Sequence, residues 1–490
     1  MQRRGEDFGH DLGRSDRAER NLRGEQQLSD GLGFANRAPG HVSSPLMKRV
    51  RSVRNLERAW HVIEENARSS KSEDVKKEIE AFRENASRNL KSLCTRLVKG
   101  TFKFPPAKGI PIAKTDKDGK KNKAKFRPIV LASVESRIVQ RAILDALLGI
   151  PALQKYIHTP HSFGGIRKVS DIGLAAVPAA IKDVLVSIEQ GTRFVASADI
   201  TSFFTRIPKS IVTDIVANAV QDDQFMGLFC KAINVELSNM AELREKANAF
   251  PIGDIGVAQG NSLSPLLGNI ILFDFDRQMN AGDCRCIRYI DDFMILAPTR
   301  AAAGARMRKS VSILAVHKME LSQEKSSKEP LPITSGFEFL GIEFNNGLIR
   351  PTSKAQLKHL NSLKIIFDAS SKAIREHRPG AKFERSNSLT ATLRRVDGMC
   401  QGWAKHYRFC NDMNAFKNLD KKISEMIGSF VGNYSAAIKR IGGDERRTLL
   451  GVGKLTEIEF KPFDWPKSAI KTASIPETQN SLSLGTSQRP

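Results

Sequence analysis

The chain has 490 residues, 40% of them hydrophobic, enough to bury a substantial core over roughly two to four structural units. Lys+Arg 77 against Asp+Glu 53 leaves a formal charge of +24, a field that concentrates polyanions and points to a nucleic-acid partner more than to any particular fold. Six cysteines without a CxxC pair read as reduced thiols rather than metal ligands or a disulfide framework, and no apolar run approaches membrane-spanning length.

The opening residues, to about Pro45, are rich in Arg, Gly, Asp and Glu, show little hydrophobic periodicity and read as a mobile tail. They contain no hydrophobic signal segment, so a cytoplasmic protein without a membrane partner is expected. From Val53 to Val98, Leu56, Trp60, Ile63, Val75, Ile79, Phe82, Leu90, Leu93 and Leu97 recur at intervals that predict helices with one buried face. Ser69 to Ser72 reads as a break. The sequence after Gly100 is extended and basic, and Asp116-Lys117-Asp118-Gly119 reads as a hairpin turn because Asp-Gly tolerates positive φ. Glu135 to Leu148 predicts an amphipathic helix, His161 to Arg167 a loop, and Ile172 to Val186 a helix that Pro178 should kink or divide.

A second unit opens near Thr192 with an apolar run of strand length, Phe194 to Ala198, ending in Asp199. Ser210 to Leu237 reads as helical, Gly253 to Pro265 as a Gly-rich loop and Leu266 to Phe275 as an apolar helix. Two strands are expected around Asp291 and Asp292, then a helix over Ala301 to Val316 and strand pieces at Met319 to Leu321 and Phe337 to Phe344. This order predicts an α+β or split βαβ unit, an antiparallel sheet covered by helices. Residues Lys354 to Lys439 read as basic helices, with Trp403 and Tyr407 on one face and read as packing. The last residues read as a disordered tail. The expected units are 1–48, 49–191, 192–345, 346–461 and 462–490.

Within Arg288-Tyr289-Ile290-Asp291-Asp292-Phe293-Met294, adjacent acids are flanked by apolar strand text, a costly placement unless the acids are paired or bind metal. A hairpin turn would lift them to the end of two buried strands. Alone, that pattern is equally a simple acidic turn. Asp199 also ends a buried strand, and two acid-bearing strand ends side by side would offer the carboxylates that magnesium prefers. Phosphoryl transfer uses two such cations about 4 Å apart.

These segments resemble reverse transcriptases, particularly the bacterial group II intron type and its relatives. Tyr289-Ile290-Asp291-Asp292 resembles the YxDD box, and Asp199 to Phe204 the DxxxFF box. The resemblance implies two Mg²⁺ ions, with Mn²⁺ as a substitute, held by Asp199, Asp291 and Asp292 and by the Ile200 main-chain carbonyl. It also implies that Phe204 gates the ribose 2′-hydroxyl; by itself Phe204 reads equally as core. Lys125 and Arg127, in Lys125-Phe126-Arg127-Pro128-Ile129, would meet the incoming triphosphate, Arg127 as a fork and Lys125 as a point charge. Gln259, in a box resembling QGxxxSP, would lie near base or sugar, with Ser264 capping the following helix.

His161, Gly164, Gly165 and Arg167 resemble a template-facing segment in which glycines let the backbone lie against phosphates, although the family more often has one glycine followed by Phe and a basic residue. Lys325, in Leu321 to Ser326, resembles a lysine beside the triphosphate that donates a proton to pyrophosphate; its bland reading is a solvated surface lysine. Phe339, Leu340 and Gly341 resemble the primer grip. Gly402-Trp403 followed by Tyr407 resembles the thumb or maturase region.

The implied fold is a right-hand polymerase with fingers, a palm of antiparallel sheet plus helices, and a helical thumb. The implied activity is RNA-directed DNA polymerisation: dNTPs added to a DNA or RNA primer on an RNA template. With no paired-CxxC nuclease module after the thumb, a stand-alone antiphage defence role with a structured noncoding RNA is expected. The alternatives are a group II intron maturase or mobility protein, an untemplated or protein-primed DNA polymerase, and a catalytically minor RNA-binding protein. A homo-oligomer and a ribonucleoprotein both stay open.

Overall fold

The computed structural model describes residues 44–70, 72–115, 121–166, 173–378 and 380–453, with positions 455, 459, 461 and 463. It begins with four helices, α1 (Pro45–Arg51), α2 (Val53–Arg68), α3 (Glu73–Glu84) and α4 (Ala86–Val98). Ser44, Ser52 and Ser72 cap the first three by accepting from the N–H groups of Met47, Asn55 and Val75. The tail boundary expected near residue 48 therefore falls inside a helix, whose Met47 and Val50 are buried. The apolar rows expected from spacing, including Leu56, Trp60, Ile79 and Leu93, converge on one core with α5 (Val134–Leu147).

Between them runs an antiparallel hairpin of β1 (Lys108–Thr115) and β2 (Lys121–Leu131). Its expected turn, Asp116 to Gly119, lies outside the described residues, as do both expected tails for all but a few positions. Helix α6 (Ala176–Glu189) is unbroken. Pro178 stands in its first turn, where backbone N–H groups have no intrahelical acceptor, so the expected kink has no cause.

The central sheet has four antiparallel strands in the order β4-β5-β3-β6: β3 (Phe194–Asp199), β4 (Arg285–Tyr289), β5 (Asp292–Ala297) and β6 (Leu331–Pro332). Alternation along the strands divides their side chains between two cores. Ala196, Ala198, Phe293 and Ile295 join the helical core, whereas Val195, Met294 and Leu296 join a second one with Ile181 and Val184 of α6. This is an α+β architecture, an antiparallel sheet flanked by helices.

Helices α7 (Lys209–Val220) and α8 (Asp223–Ile233) divide the single helical stretch expected there, because Gln221 takes φ 50 and Asp222 caps the second. Helices α9 (Ser264–Ile271) and α10 (Phe273–Met279) likewise divide the next, and α11 (Arg300–Ala315) lies where expected. A second sheet, β7 (Phe337–Phe339), β8 (Ile342–Asn345) and β9 (Leu348–Pro351), leads into α12 (Ser353–Glu376), α13 (Leu389–Tyr407), α14 (Met413–Ile438) and α15 (Gly443–Leu450). These last helices have a core of their own around Leu363, Phe367, Val396 and Phe430. The cysteines are free thiols.

Candidate active site

The register of β3 on β5 pairs Asp199 directly with Asp292, at the ends of two strands buried on both faces. The Ile200 N–H donates to the Asp291 carbonyl at 3.0 Å, drawing the β4-β5 turn against the end of β3. One carboxylate oxygen from each of Asp199, Asp291 and Asp292 then lies within 4.8 Å of the others, the arrangement among the described residues that could hold a metal ion. Three converging carboxylates in a half-buried site are hard oxygen donors whose mutual repulsion a divalent cation would relieve, so the donor set fits Mg²⁺.

The electrostatics record that repulsion. Burial first, then the neighbouring charge of Asp199, raises the Asp291 carboxyl above the usual range. Desolvation, a hydrogen bond with Asp199 and both neighbouring charges push Asp292 up to about 7. The outer part of Asp292 is exposed to solvent, so the contact with its fellow carboxylates is the firmer cause. Lys325 opposes the effect: its ammonium sits 2.7 Å from Asp199 Oδ1, with the lysine side chain 61% exposed.

Other expected site residues lie on the β1-β2 hairpin, in the loop before α9, beside β4 and in the second sheet. Arg127 is exposed on β2, opposite Ile112, and its charge helps to lower the Asp291 pKa. Lys125 pairs with Glu324, so the hairpin and the Leu321 to Ser326 segment meet across the site. The N–H of Val130 donates to the Gln259 carbonyl at 3.2 Å, joining β2 to the loop before α9. Gly260 makes that approach feasible: its φ is +109, and a Cβ there would stand 3.2 Å from the Val130 carbonyl oxygen. Ser264 does not cap α9 as expected. Its hydroxyl donates to the Ala258 carbonyl at 2.7 Å, bracing the loop itself.

Phe204 is half-buried beside the fully buried Phe203, with ring centroids 5.2 Å apart. Room for Phe203 comes from Gly268, where a Cβ would lie 2.9 Å from the ring. Ile200 is completely buried at the end of β3.

The expected template segment has another structural task. Residues around Ser162 extend the sheet beside β4, with Arg288 N donating to the His161 carbonyl and Phe163 N to the Arg288 carbonyl, both at 2.9 Å. His161 Nδ1 contacts Arg285 Nη1 at 2.8 Å, and Arg285 is held by Asp183. A Cβ on Gly164 would meet Ile290 Cγ1 at 2.8 Å, and one on Gly165 would meet Pro265 Cβ at 2.8 Å. Both glycines thus let the segment pack beneath the Asp291 turn, a reason different from the phosphate contact expected of them. Arg167 lies outside the described residues.

Leu340 and Gly341 form the two-residue turn between β7 and β8, with φ 50 and 78. Phe339 is buried in the core shared with Tyr407, and the Gly341 carbonyl accepts from Thr352 N at 3.0 Å. Trp403 stacks on His359, with centroids 4.8 Å apart, and touches Tyr407 and Phe416, so the pair serves packing as expected.

Arg288 and Asp276 were not among the expected site residues. They form a buried ion pair directly behind the acidic turn, with Asn269 and Ser162 attached. Their signal in the sequence is a charge in apolar text, Arg288 in a strand and Asp276 in a helix, but nothing local says that the two meet. Glu324 was missed for the same reason.

Residues 116–344 match the protein family described as Reverse transcriptase (RNA-dependent DNA polymerase). Protein YkfC of Escherichia coli (strain K12) is 28% identical over 196 residues, 39% of this chain and 45% of that protein. A Saccharomyces cerevisiae protein named for COX1/OXI3 intron 2 is 24% identical over 178 residues, 36% of this chain and 18% of its own. The matched stretch thus spans less than half the length of either relative. Among solved structures, a partial Cas6-RT-Cas1–Cas2 complex aligns with 56% of this chain and 43% of its own at 18% identity and TM-score 0.32. Apo telomerase from Candida tropicalis aligns with 76% of this chain and 69% of its own at 12% identity and TM-score 0.39. Among the described residues, no helix is long and apolar enough to cross a membrane.

Proposed function

We propose, from the premise that residues 116–344 of this chain are a reverse transcriptase domain, that it extends a primer with deoxynucleotides on an RNA template at Asp199, Asp291 and Asp292. The observation that carries this reading is the register pairing Asp199 with Asp292, which brings three carboxylates within 4.8 Å. When bound there, a pair of magnesium ions would activate the attacking hydroxyl and stabilise the leaving pyrophosphate.

Around them each residue has a distinct task. Asp199 and Asp291 are the principal ligands, Asp292 tunes their charge, and the Ile200 carbonyl adds a neutral oxygen. Arg127 and Lys125 neutralise the triphosphate from the β1-β2 hairpin, after Lys125 leaves Glu324. Lys325, already beside Asp199, is placed to give a proton to the departing pyrophosphate. Phe204 crowds the sugar 2′ position, and Gln259 lies by the base or sugar. The segment from His161 orders the template side through its hold on β4, and the Phe339 to Gly341 turn meets the primer end. In this reading the hairpin and preceding helices are fingers, the central sheet is the palm and the helices from Ser353 are the thumb. The basic thumb keeps the duplex through phosphate contacts.

For the biological setting we infer antiphage defence with a structured noncoding RNA, a reading that rests on the sequence resemblance alone. The relative named for an intron favours intron maturation as the second reading. Sequencing the nucleic acids that copurify with the full chain separates them: intron RNA supports the second, another structured RNA the first. For the activity itself, purified protein with Mg²⁺, primer-template and separate dNTP and NTP sets should incorporate deoxynucleotides. Asp291→Ala should end incorporation; an unaffected variant refutes the metal assignment.

A further inference from the structure

Asp291 is held at both of its peptide bonds. Downstream, its carbonyl accepts from Ile200 N–H. Upstream, the peptide between Ile290 and Asp291 is held through the Ile290 carbonyl, which accepts from Arg288 Nη1 at 2.9 Å. That second hold is built on a buried ion pair. Arg288 Nε and Nη2 donate to the two carboxylate oxygens of Asp276 at 2.7 and 2.6 Å, and the side chains are only 1% and 2% exposed. Nη2 also donates to Asn269 Oδ1 at 3.2 Å, and the Asn269 amide in turn donates to the Tyr156 carbonyl.

The turn needs holding. Ile290 has φ 63, a left-handed conformation that is unfavourable for a β-branched residue and persists only where its surroundings impose it. A two-residue hairpin with positive φ at its first central position ordinarily uses glycine there. An isoleucine left unrestrained would let the peptide rotate, and that rotation would swing the Asp291 carboxylate away from Asp199. Lysine in place of Arg288 could supply a charge to Asp276, yet one ammonium cannot reproduce a planar fork on the carboxylate while reaching the Ile290 carbonyl.

We propose that Arg288 is a positioning residue for Asp291: the buried Arg288–Asp276 pair clamps the strained peptide that leads into the metal-binding aspartate. This inference rests on the reading of Asp291 as a metal ligand. It makes Arg288 and Asp276 necessary for metal geometry without contact with metal, nucleotide or primer.

The test uses the full chain with four variants: Arg288→Lys, Arg288→Lys/Ile290→Gly, Arg288→Met/Asp276→Leu and, as control, Asp291→Ala. Thermal unfolding establishes the fold, Mn²⁺ binding without nucleotide is read by electron paramagnetic resonance, and kcat and KM are measured on a primer-template. Misplacing a reacting group by about 1 Å can slow a reaction about 100-fold, so Arg288→Lys should fold, bind Mn²⁺ more weakly and lose about 10- to 100-fold in kcat. KM for primer-template should stay within about twofold, because no binding contact is removed. Glycine at position 290 adopts positive φ without strain, so Arg288→Lys/Ile290→Gly should recover much of the lost Mn²⁺ affinity and kcat.

Where Arg288→Lys does not fold, Arg288→Met/Asp276→Leu carries the same readouts, since removing both charges leaves neither buried alone. A folded variant with wild-type Mn²⁺ affinity and kcat overturns the inference, as does a loss that Ile290→Gly leaves untouched. If Asp291→Ala binds Mn²⁺ like the wild type, the metal reading itself fails and takes the inference with it.

Discussion

Lys325 holds its ammonium 2.7 Å from Asp199 Oδ1, although the two residues are 126 positions apart. The lysine is the nearest described countercharge to a cluster of three carboxylates, and it is exposed enough to turn toward a different anion. In the proposed reaction its partner would change from the Asp199 carboxylate to a phosphate oxygen of the nucleotide.

Replacing this lysine should therefore separate chemistry from binding. A positioned proton donor contributes about 100- to 10,000-fold, so Lys325→Ala should reduce kcat within that range while changing KM for dNTP far less. Lys325→Arg should keep the charge but not the rate at neutral pH. Single-turnover incorporation across a pH series checks this; equal rates for the arginine variant would leave Lys325 as a countercharge only.

Magnesium stabilisation should depend on pH with a definite sign. Asp291 and Asp292 both have raised pKa values when folded, Asp292 reaching about 7 from an ordinary value of 3.8. The stability contributed by protonated Asp292 is full below its unfolded value and is lost as pH rises toward and through about 7. A metal ligand must be ionised, so Mg²⁺ displaces those protons and offsets that loss. Thermal unfolding with and without Mg²⁺ should show a larger gain at about pH 8 than at about pH 6; a gain independent of pH removes the proton linkage.

Gly260→Ala should destabilise the molecule by about 1–3 kcal/mol, from strain at positive φ together with a crowded contact at the Val130 carbonyl. It would also loosen β2 from Gln259, so the midpoint should fall and KM for dNTP should rise together. Chemical denaturation and steady-state kinetics on one preparation measure both. An unchanged midpoint would mean that the loop yields without strain.

The adjacent phenylalanines should behave differently. Phe203 is buried to 2% exposure, and Phe203→Ala should cost about 3–5 kcal/mol of stability as a core truncation. Phe204 is half-buried, so Phe204→Ala should cost less while relaxing discrimination against ribonucleotides. Incorporation of matched dNTP and NTP pairs reads the second effect; unchanged discrimination would return Phe204 to the core alone.

Much of the secondary structure was legible from residue spacing. Leu56, Trp60 and Ile63 lie on the buried face expected of them, and the apolar run from Phe194 ends in Asp199 at a strand end. Misreadings came where one residue decides a boundary. Gln221 and Asp222 stop one helix and start another, and Pro178 is harmless because of its position in the first turn. Glycines 164 and 165 were legible as special but not for their reason, since their need for space comes from Ile290 and Pro265, distant in the chain.

By itself the sequence determined that Asp199 closes an apolar run of strand length and that Asp291 and Asp292 stand before another, because such runs are local and mark strands buried on both faces. Only the tertiary structure decided that Asp199 pairs with Asp292, that Lys325 faces Asp199, and that Arg288 reaches both Asp276 and the Ile290 carbonyl. Those relations depend on sheet register and helix docking, where a shift of one residue would turn each side chain to the opposite face. Asp291 became a candidate from its neighbours in the chain; its aim is set by groups packed around it in space.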